Sequence, residues 1–163
     1  MKYEITNEVH PQNSNLKRIR ALRDIRKHGV RTGDLGGYVS YEDNLFQDGD
    51  AWIADNAIVY GWAKVYDDAL VSGNASVSGN AQVFGDAEVS GYARVSGNAF
   101  VYENAEVYGK AWVYGDAQVS GEAWIYGDAT VFGNAQVFGD AKVYGNAKVY
   151  GNAYFYEEAS VSE

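Results

Sequence analysis

Residues 71–82 read Val-Ser-Gly-Asn-Ala-Ser-Val-Ser-Gly-Asn-Ala-Gln, a six-residue unit stated twice. The unit extends in both directions without an insertion, and internal repetition of this kind decides a fold before local propensity does. With the branched residue as position 1, that position is filled nineteen times from Ile53 to Val161: sixteen Val, two Ile (Ile53 and Ile125) and one Phe (Phe155). Position 5 is alanine in all eighteen hexads from Ala57 to Ala159, position 3 is mostly Gly, and position 4 is mostly Asn or Asp.

In an extended strand, residues two apart face the same side. Ala-x-Val therefore turns a small and a branched side chain inward, while positions 6 and 2 point out. Gly and Asn/Asp tolerate positive φ and supply a corner between successive strands. Three such sides close into a triangular coil of 18 residues, and coils stack about 4.8 Å apart. The predicted fold is all-β: a single-stranded parallel β-helix of about seven coils. A degraded form of the register runs back through Leu35–Ser40, Tyr41–Phe46 and Gln47–Trp52. That gives a helix over residues 35–163, roughly 34 Å long at the strand spacing. The branched residue and the small residue two before it resemble the left-handed β-helix of hexapeptide-repeat proteins. The chain differs in placing Gly at position 3, where many members of that family have it at position 2.

A solenoid exposes unpaired strand edges at its ends and must cover them. Residues 1–34 read as an N-terminal cap, with Lys2–Thr6 as one short strand and Leu16–Ile25 as a second element. Leu16, Ile19, Leu22 and Ile25 recur at a spacing that suits a helix, but alternation around Ile19 and Ala21 suits a strand, and strands are the favoured reading. Gly33-Asp34-Leu35-Gly36-Gly37 reads as a turn into the helix. At the other end Phe155 is placed to plug the core, and Glu157 and Glu158 put charge where Gly and Asn usually stand. The edges left open there predict a homodimer.

No catalytic residue, cofactor site or metal site is expected. The chain has no cysteine, which removes disulfides and thiolate metal ligands. Its two histidines, His10 and His28, both lie in the cap. Acyltransferases built on hexapeptide repeats use a histidine base beside a protruding loop, and these coils hold neither. The related γ-type carbonic anhydrases need three histidine zinc ligands, which two histidines cannot supply. Thr130 is the lone threonine of the repeats, so no threonine ranks suit ice binding, and no phosphate-loop signature is present. No apolar run approaches the roughly 20 residues needed to span a bilayer, and no secretory signal is visible. A cytoplasmic protein without membrane contact is the expectation.

Charge is unevenly placed. The net charge is −9, but residues 1–34 carry eight Lys/Arg against four Asp/Glu, and the remainder five against eighteen. Sorted by triangle side, twelve of those eighteen acids fall on one: Asp48, Asp50, Asp67, Asp68, Asp86, Glu88, Glu103, Glu106, Glu122, Asp140, Glu157 and Glu158. Like charges stacked one coil apart repel, so the strip reads either as a solvated face or as a docking strip for a basic protein. Duplex DNA carries about one charge per 1.7 Å, within a factor of two of this strip. Pentapeptide-repeat proteins that imitate DNA are a precedent for an acidic β-helical rod, and the expected partner is a basic nucleic-acid-binding enzyme rather than nucleic acid itself.

The second surface feature is aromatic. Position 2 points outward, yet twelve of its nineteen occupants are Tyr or Phe. Reading by side predicts the ladders Tyr108-Tyr126-Tyr144, Tyr114-Phe132-Tyr150 and Tyr66-Phe84-Tyr102, enlarged by Trp112, Trp124, Phe100 and Tyr154. Stacked rings stabilise adjacent coils. The aromatic C-terminal half also reads as a self-association surface, for which Tyr108, Trp112, Tyr114, Trp124, Tyr126, Phe132, Tyr144, Tyr150, Tyr154 and Phe155 are the candidates.

The order Lys2-Tyr3-Glu4-Ile5-Thr6, Arg18-Ile19-Arg20-Ala21-Leu22-Arg23-Asp24 and Gly33-Asp34-Leu35-Gly36-Gly37, followed by hexads, resembles small proteins of bacteriophages and prophages. These are grouped with polymer-forming or hexapeptide-transferase-like repeat proteins. The resemblance implies a viral accessory role, and the expected function is that of a non-catalytic protein that binds a macromolecule and so blocks a host defence or DNA-handling enzyme. The alternatives are a structural or self-assembling rod and an acyltransferase-like enzyme.

Overall fold

The computed structural model describes residues 1–156 and 160–162, and it is a triangular parallel β-solenoid of about seven turns. Among the described residues, 22 strands form three sheets of nine, seven and six, one along each side of the triangle. From Trp52 onward every pairing joins residues 18 apart, such as Val77 with Val95 and Val95 with Val113. Position 1 and position 5 side chains are fully inside from Ile53 to Ala147. Branched chains on a pleated surface and alanine beside the corner fill the interior without a cavity-forming mismatch in size.

The corners are four-residue turns, many of them closed from position 5 to position 2, as in Ala75 N–H to Ser72 O at 3.2 Å. Position 3 sits at positive φ and lies against its counterpart one coil on. A Cβ on Gly97, where φ is +68°, would meet the Gly115 amide nitrogen at 2.8 Å. Both the dihedral and the close approach therefore call for glycine.

The cap is strand-built, as the alternation predicts. Strands β1 (Tyr3–His10) and β2 (Asn13–Ala21) form an antiparallel hairpin; β1 runs four residues past the expected Thr6, and β2 starts three residues before Leu16 and ends at Ala21, short of Ile25. Strand β3 (Leu35–Val39) pairs antiparallel with β2 and parallel with Ile58–Val59, so the hairpin continues one side of the solenoid, here termed the hairpin face. Between β2 and β3 the chain crosses the open base of the first coil. It buries Ile25 in the common core and carries a 3-10 turn, Arg26–His28.

Two expectations need correction. Leu35–Gly37 is strand, not turn; the turn lies at Thr32–Gly33. Gly36 serves proximity instead, since a Cβ there would meet Ile53 O at 2.5 Å and Ile19 Cγ1 at 2.7 Å. The backward register through Leu35, Tyr41 and Gln47 is also wrong. Val39 pairs with Val59 and Leu45 with Val65, each 20 residues on, and these two fill the core while Leu35 and Tyr41 are exposed. Two extra residues are taken up between Leu45 and Ile53, where the N-terminus enters: Gln47 Oε1 accepts from Lys2 N at 2.7 Å. Asn44 repairs the shift. Its Nδ2 donates to Gly61 O and Ala63 O, at 3.0 and 2.8 Å, and its Oδ1 accepts from Ser40 N and Tyr41 N.

Candidate functional site

The acidic residues gather on one edge, the corner between the side carrying Lys64–Val65 (the second face) and the side carrying Leu70–Val71 (the third face). In a triangle that edge lies opposite the hairpin face. Asp50, Asp68, Asp86, Glu122 and Asp140 share one corner column, and Asp67 and Glu103 the neighbouring one. Glu88 and Glu106 stand beside them on the third face, directly paired in register. Burial, then the charge of Glu88 one coil below, pushes the Glu106 carboxyl up from its ordinary value. Asp48 is exposed at the base. Glu157 and Glu158 lie outside the described residues.

The strip is not uniformly open. Arg23 pairs with Asp50 at 3.0 Å. The Lys27 ammonium bridges Asp68 Oδ2, at 3.2 Å, and Asp86. His28 Nε2 donates to Asp68 O at 3.0 Å. Asp68 is held below the usual carboxylate range first by the Asp50 N–H that its Oδ1 accepts and then by Lys27. The His28 imidazole is lowered from 6.5, mainly by burial. Thus the basic cap reads not as a free surface but as a clasp over the first three rungs. Three more of its cations are engaged: Arg18 with Glu8, Arg20 with Glu4, and Lys2, which is 1% exposed and donates to Asp48 O. Burial, with Arg23 nearby, lowers the Lys2 ammonium to about 8.

Two more members of the strip have backbone work. Asp67 and Glu103 occupy the positive-φ corner position normally held by glycine, at +56° and +59°. Each carboxylate accepts the N–H of the glycine one coil on, Gly85 at 3.3 Å and Gly121 at 2.6 Å. Asp55 does the same for Gly73 on another corner. Side chains in the strained dihedral are offset by capping a corner donor. The rungs left open to a partner are Glu88, Glu106, Glu122 and Asp140.

The aromatic ladders form as read, but on three different sides. Tyr108, Tyr126 and Tyr144 stack on the third face at 5.0 and 5.2 Å. Tyr114, Phe132 and Tyr150 stack on the hairpin face at 5.0 and 5.4 Å, with Trp112 tilted against Tyr114. Phe46, Tyr66, Phe84 and Tyr102 stack on the second face, a column that begins one ring earlier than the sequence reading had it. Trp124 lies under the Lys142 ammonium at 4.7 Å. Tyr154 is exposed, whereas Phe155 packs against the core and offers no outward ring. The candidates ring the rod and do not pave one patch.

Two stretches, residues 63–80 and 123–139, are similar to the YdcK beta solenoid repeat family. Each spans about one coil, and the first starts and ends at the same point of the triangle, so the family's unit agrees with the 18-residue turn. No curated protein matches the chain. Among the described residues no cluster of three or more His, Asp or Glu is arranged to hold a metal, and no helix is long and apolar enough to cross a membrane. His10 packs edge-on against Tyr38 at 4.8 Å, on the hairpin, while His28 sits in the clasp.

A last surface feature escaped the sequence reading. On the hairpin face, the outward Ser76, Ser78 and Ser96 leave a groove of about 440 Å³, bounded by Tyr60, Tyr92 and Trp112 and floored in part by Arg94. The signal was available: serines replace rings at position 2 only in these coils and at Ser120 and Ser162.

Proposed function

We propose that the chain is a non-catalytic β-solenoid rod that seats a basic segment of a macromolecular partner on the open rungs of its acidic corner. The observation that carries this reading is the Lys27 ammonium lodged between Asp68 and Asp86. Carboxylates one coil apart are spaced to take one cation between them, and the same column continues past the clasp at Glu122 and Asp140, beside Glu88 and Glu106. A lysine- or arginine-rich segment of a nucleic-acid-binding enzyme fits that chemistry, in keeping with a phage-type accessory protein acting in the host cytoplasm against a defence or DNA-handling enzyme. The clasp shortens the open strip, so mimicry of a long duplex is replaced by capture of a short basic peptide.

The test is fluorescence anisotropy with a labelled oligolysine peptide over a salt series. Affinity is expected to fall steeply as salt screens the charges. Glu106→Gln/Glu122→Gln/Asp140→Asn is expected to abolish binding, and these substitutions spare the backbone-capping acids. Unchanged binding in the triple variant removes the reading.

A structural rod is the second reading, favoured by the exposed rings of Tyr150 and Tyr154 at the C-terminal coils. It predicts a homodimer in sedimentation at micromolar concentration that Tyr150→Ser/Tyr154→Ser returns to monomer.

A further inference from the structure

We infer that the groove on the hairpin face is a binding site for a short acidic oligosaccharide. The first observation is charge. No Asp or Glu lines the groove, and its charged groups are Arg94 on the floor and Lys110 on the corner column that Asn74 and Tyr92 share; the one carboxylate on that column's first coil, Asp55, is turned to the Gly73 N–H. On a chain of net charge −9 this is a local positive window, and it faces away from the acidic corner. Arg94 makes no ion pair and lies over no aromatic ring among the described residues. Its planar fork is suited to a carboxylate taken bidentately.

The second observation is the lining. Tyr60 and Trp112 stand three coils apart at the two ends of the groove, with Tyr92 on its rim, and all three keep over a third of their surface exposed. Between them the floor is hydroxyl: Ser76, Ser78 and Ser96, the last accepting from Trp112 Nε1 at 3.2 Å and so orienting that indole. A pyranose has an apolar face of C–H groups and a rim of hydroxyls, which such an arrangement matches in alternation. A uronic acid adds the carboxylate that Arg94 lacks. The volume, about 440 Å³, falls in the range of small-molecule sites. The floor is backbone-stapled sheet on every coil, so the site is formed before the ligand arrives.

The experiment is calorimetric titration of the full chain with a trimer of galacturonic acid at about 0.15 M salt, where the screening length is about 8 Å and the far acidic corner is muted. Saturable binding is expected. Arg94→Gln is expected to weaken it about tenfold or more, as loss of a charge-assisted bond does. Trp112→Ala is expected to weaken it as well, and Lys142→Gln on the third face to leave it unchanged. Both groove side chains point outward, so circular dichroism should report the same fold for each variant. The proposal is overturned if the acidic trimer does not bind, if a neutral glucose trimer binds as well, if Arg94→Gln has no effect, or if a nucleoside monophosphate competes for the site more tightly than the sugar. None of these outcomes bears on oligolysine binding at the opposite edge, so this site and the acidic corner stand or fall separately.

Discussion

At the scale of single residues, the repeat separates positions that specify the coil from positions that decorate it. Asn44 belongs to the first kind although its letter is the commonest at corner position 4. It is 1% exposed, and its amide makes bonds that span the 20-residue first turn. Asn44→Ala would leave the Gly61 and Ala63 carbonyls and the Tyr41 amide without their side-chain partner, while the Ser40 N–H keeps Val59 O, and a cost of about 3 kcal/mol is expected in urea unfolding. Asn98→Ala removes only exposed ladder bonds to Asn80 and Asp116 and should stay within about 0.5 kcal/mol. Gly97→Ala tests the corner itself. The positive φ and the 2.8 Å approach to Gly115 predict a loss of roughly 1–3 kcal/mol.

At the scale of elements, the clasp is the part whose stability depends on pH. His28 folds with its imidazole below 6.5, so the neutral ring is the one the docked clasp favours. An unfolded or undocked His28 takes a proton near 6.5 that the docked one refuses. Clasp stability therefore falls as pH drops below about 6.5. A second loss begins in the carboxylate range, where Asp68, lowered by the Asp50 N–H and by Lys27, must be protonated. Hydrogen exchange over residues 23–30, corrected for intrinsic rate, should show weaker protection at pH 5.5 than at pH 7. In His28→Gln, which keeps an N–H donor, the difference should vanish. Sequence alone revealed the coils, the three ring ladders and the acidic edge, because each follows from a strict period. It did not reveal the clasp, since nothing local in Arg23, Lys27 and His28 says which of eighteen rod acids they will meet. Nor did it place the first turn: Val39 and Leu45 are also six apart, but extending the strict hexads backward from Ile53 gave a competing frame that put Gln47 at a core position. Nor does it separate Asp67 and Glu103 from the rest of the strip, because a carboxylate that caps a backbone donor looks the same in a sequence as one that waits for a partner.

At the scale of the whole molecule, the surface divides by side: an anionic edge partly closed by the chain's own cations, a cationic groove on the side opposite, and rings stacked along all three. Each surface feature owes its continuity to the unvarying turn length beyond Trp52. That constancy makes the rod behave like a screw thread whose pitch can be edited. Excising residues 89–106 removes one full circuit; Glu88 then precedes Val107, every column rejoins its own kind, and a folded rod about 4.8 Å shorter is expected from small-angle scattering. Excising residues 89–94 alone also leaves an unbroken hexad grammar and should yield a folded protein by circular dichroism. In that variant, however, everything after the cut is rotated by one third of a revolution. Glu106, Glu122 and Asp140 then stand on a different edge from Glu88, and a peptide that needs the four open rungs in one line would be lost without a single carboxylate having been touched.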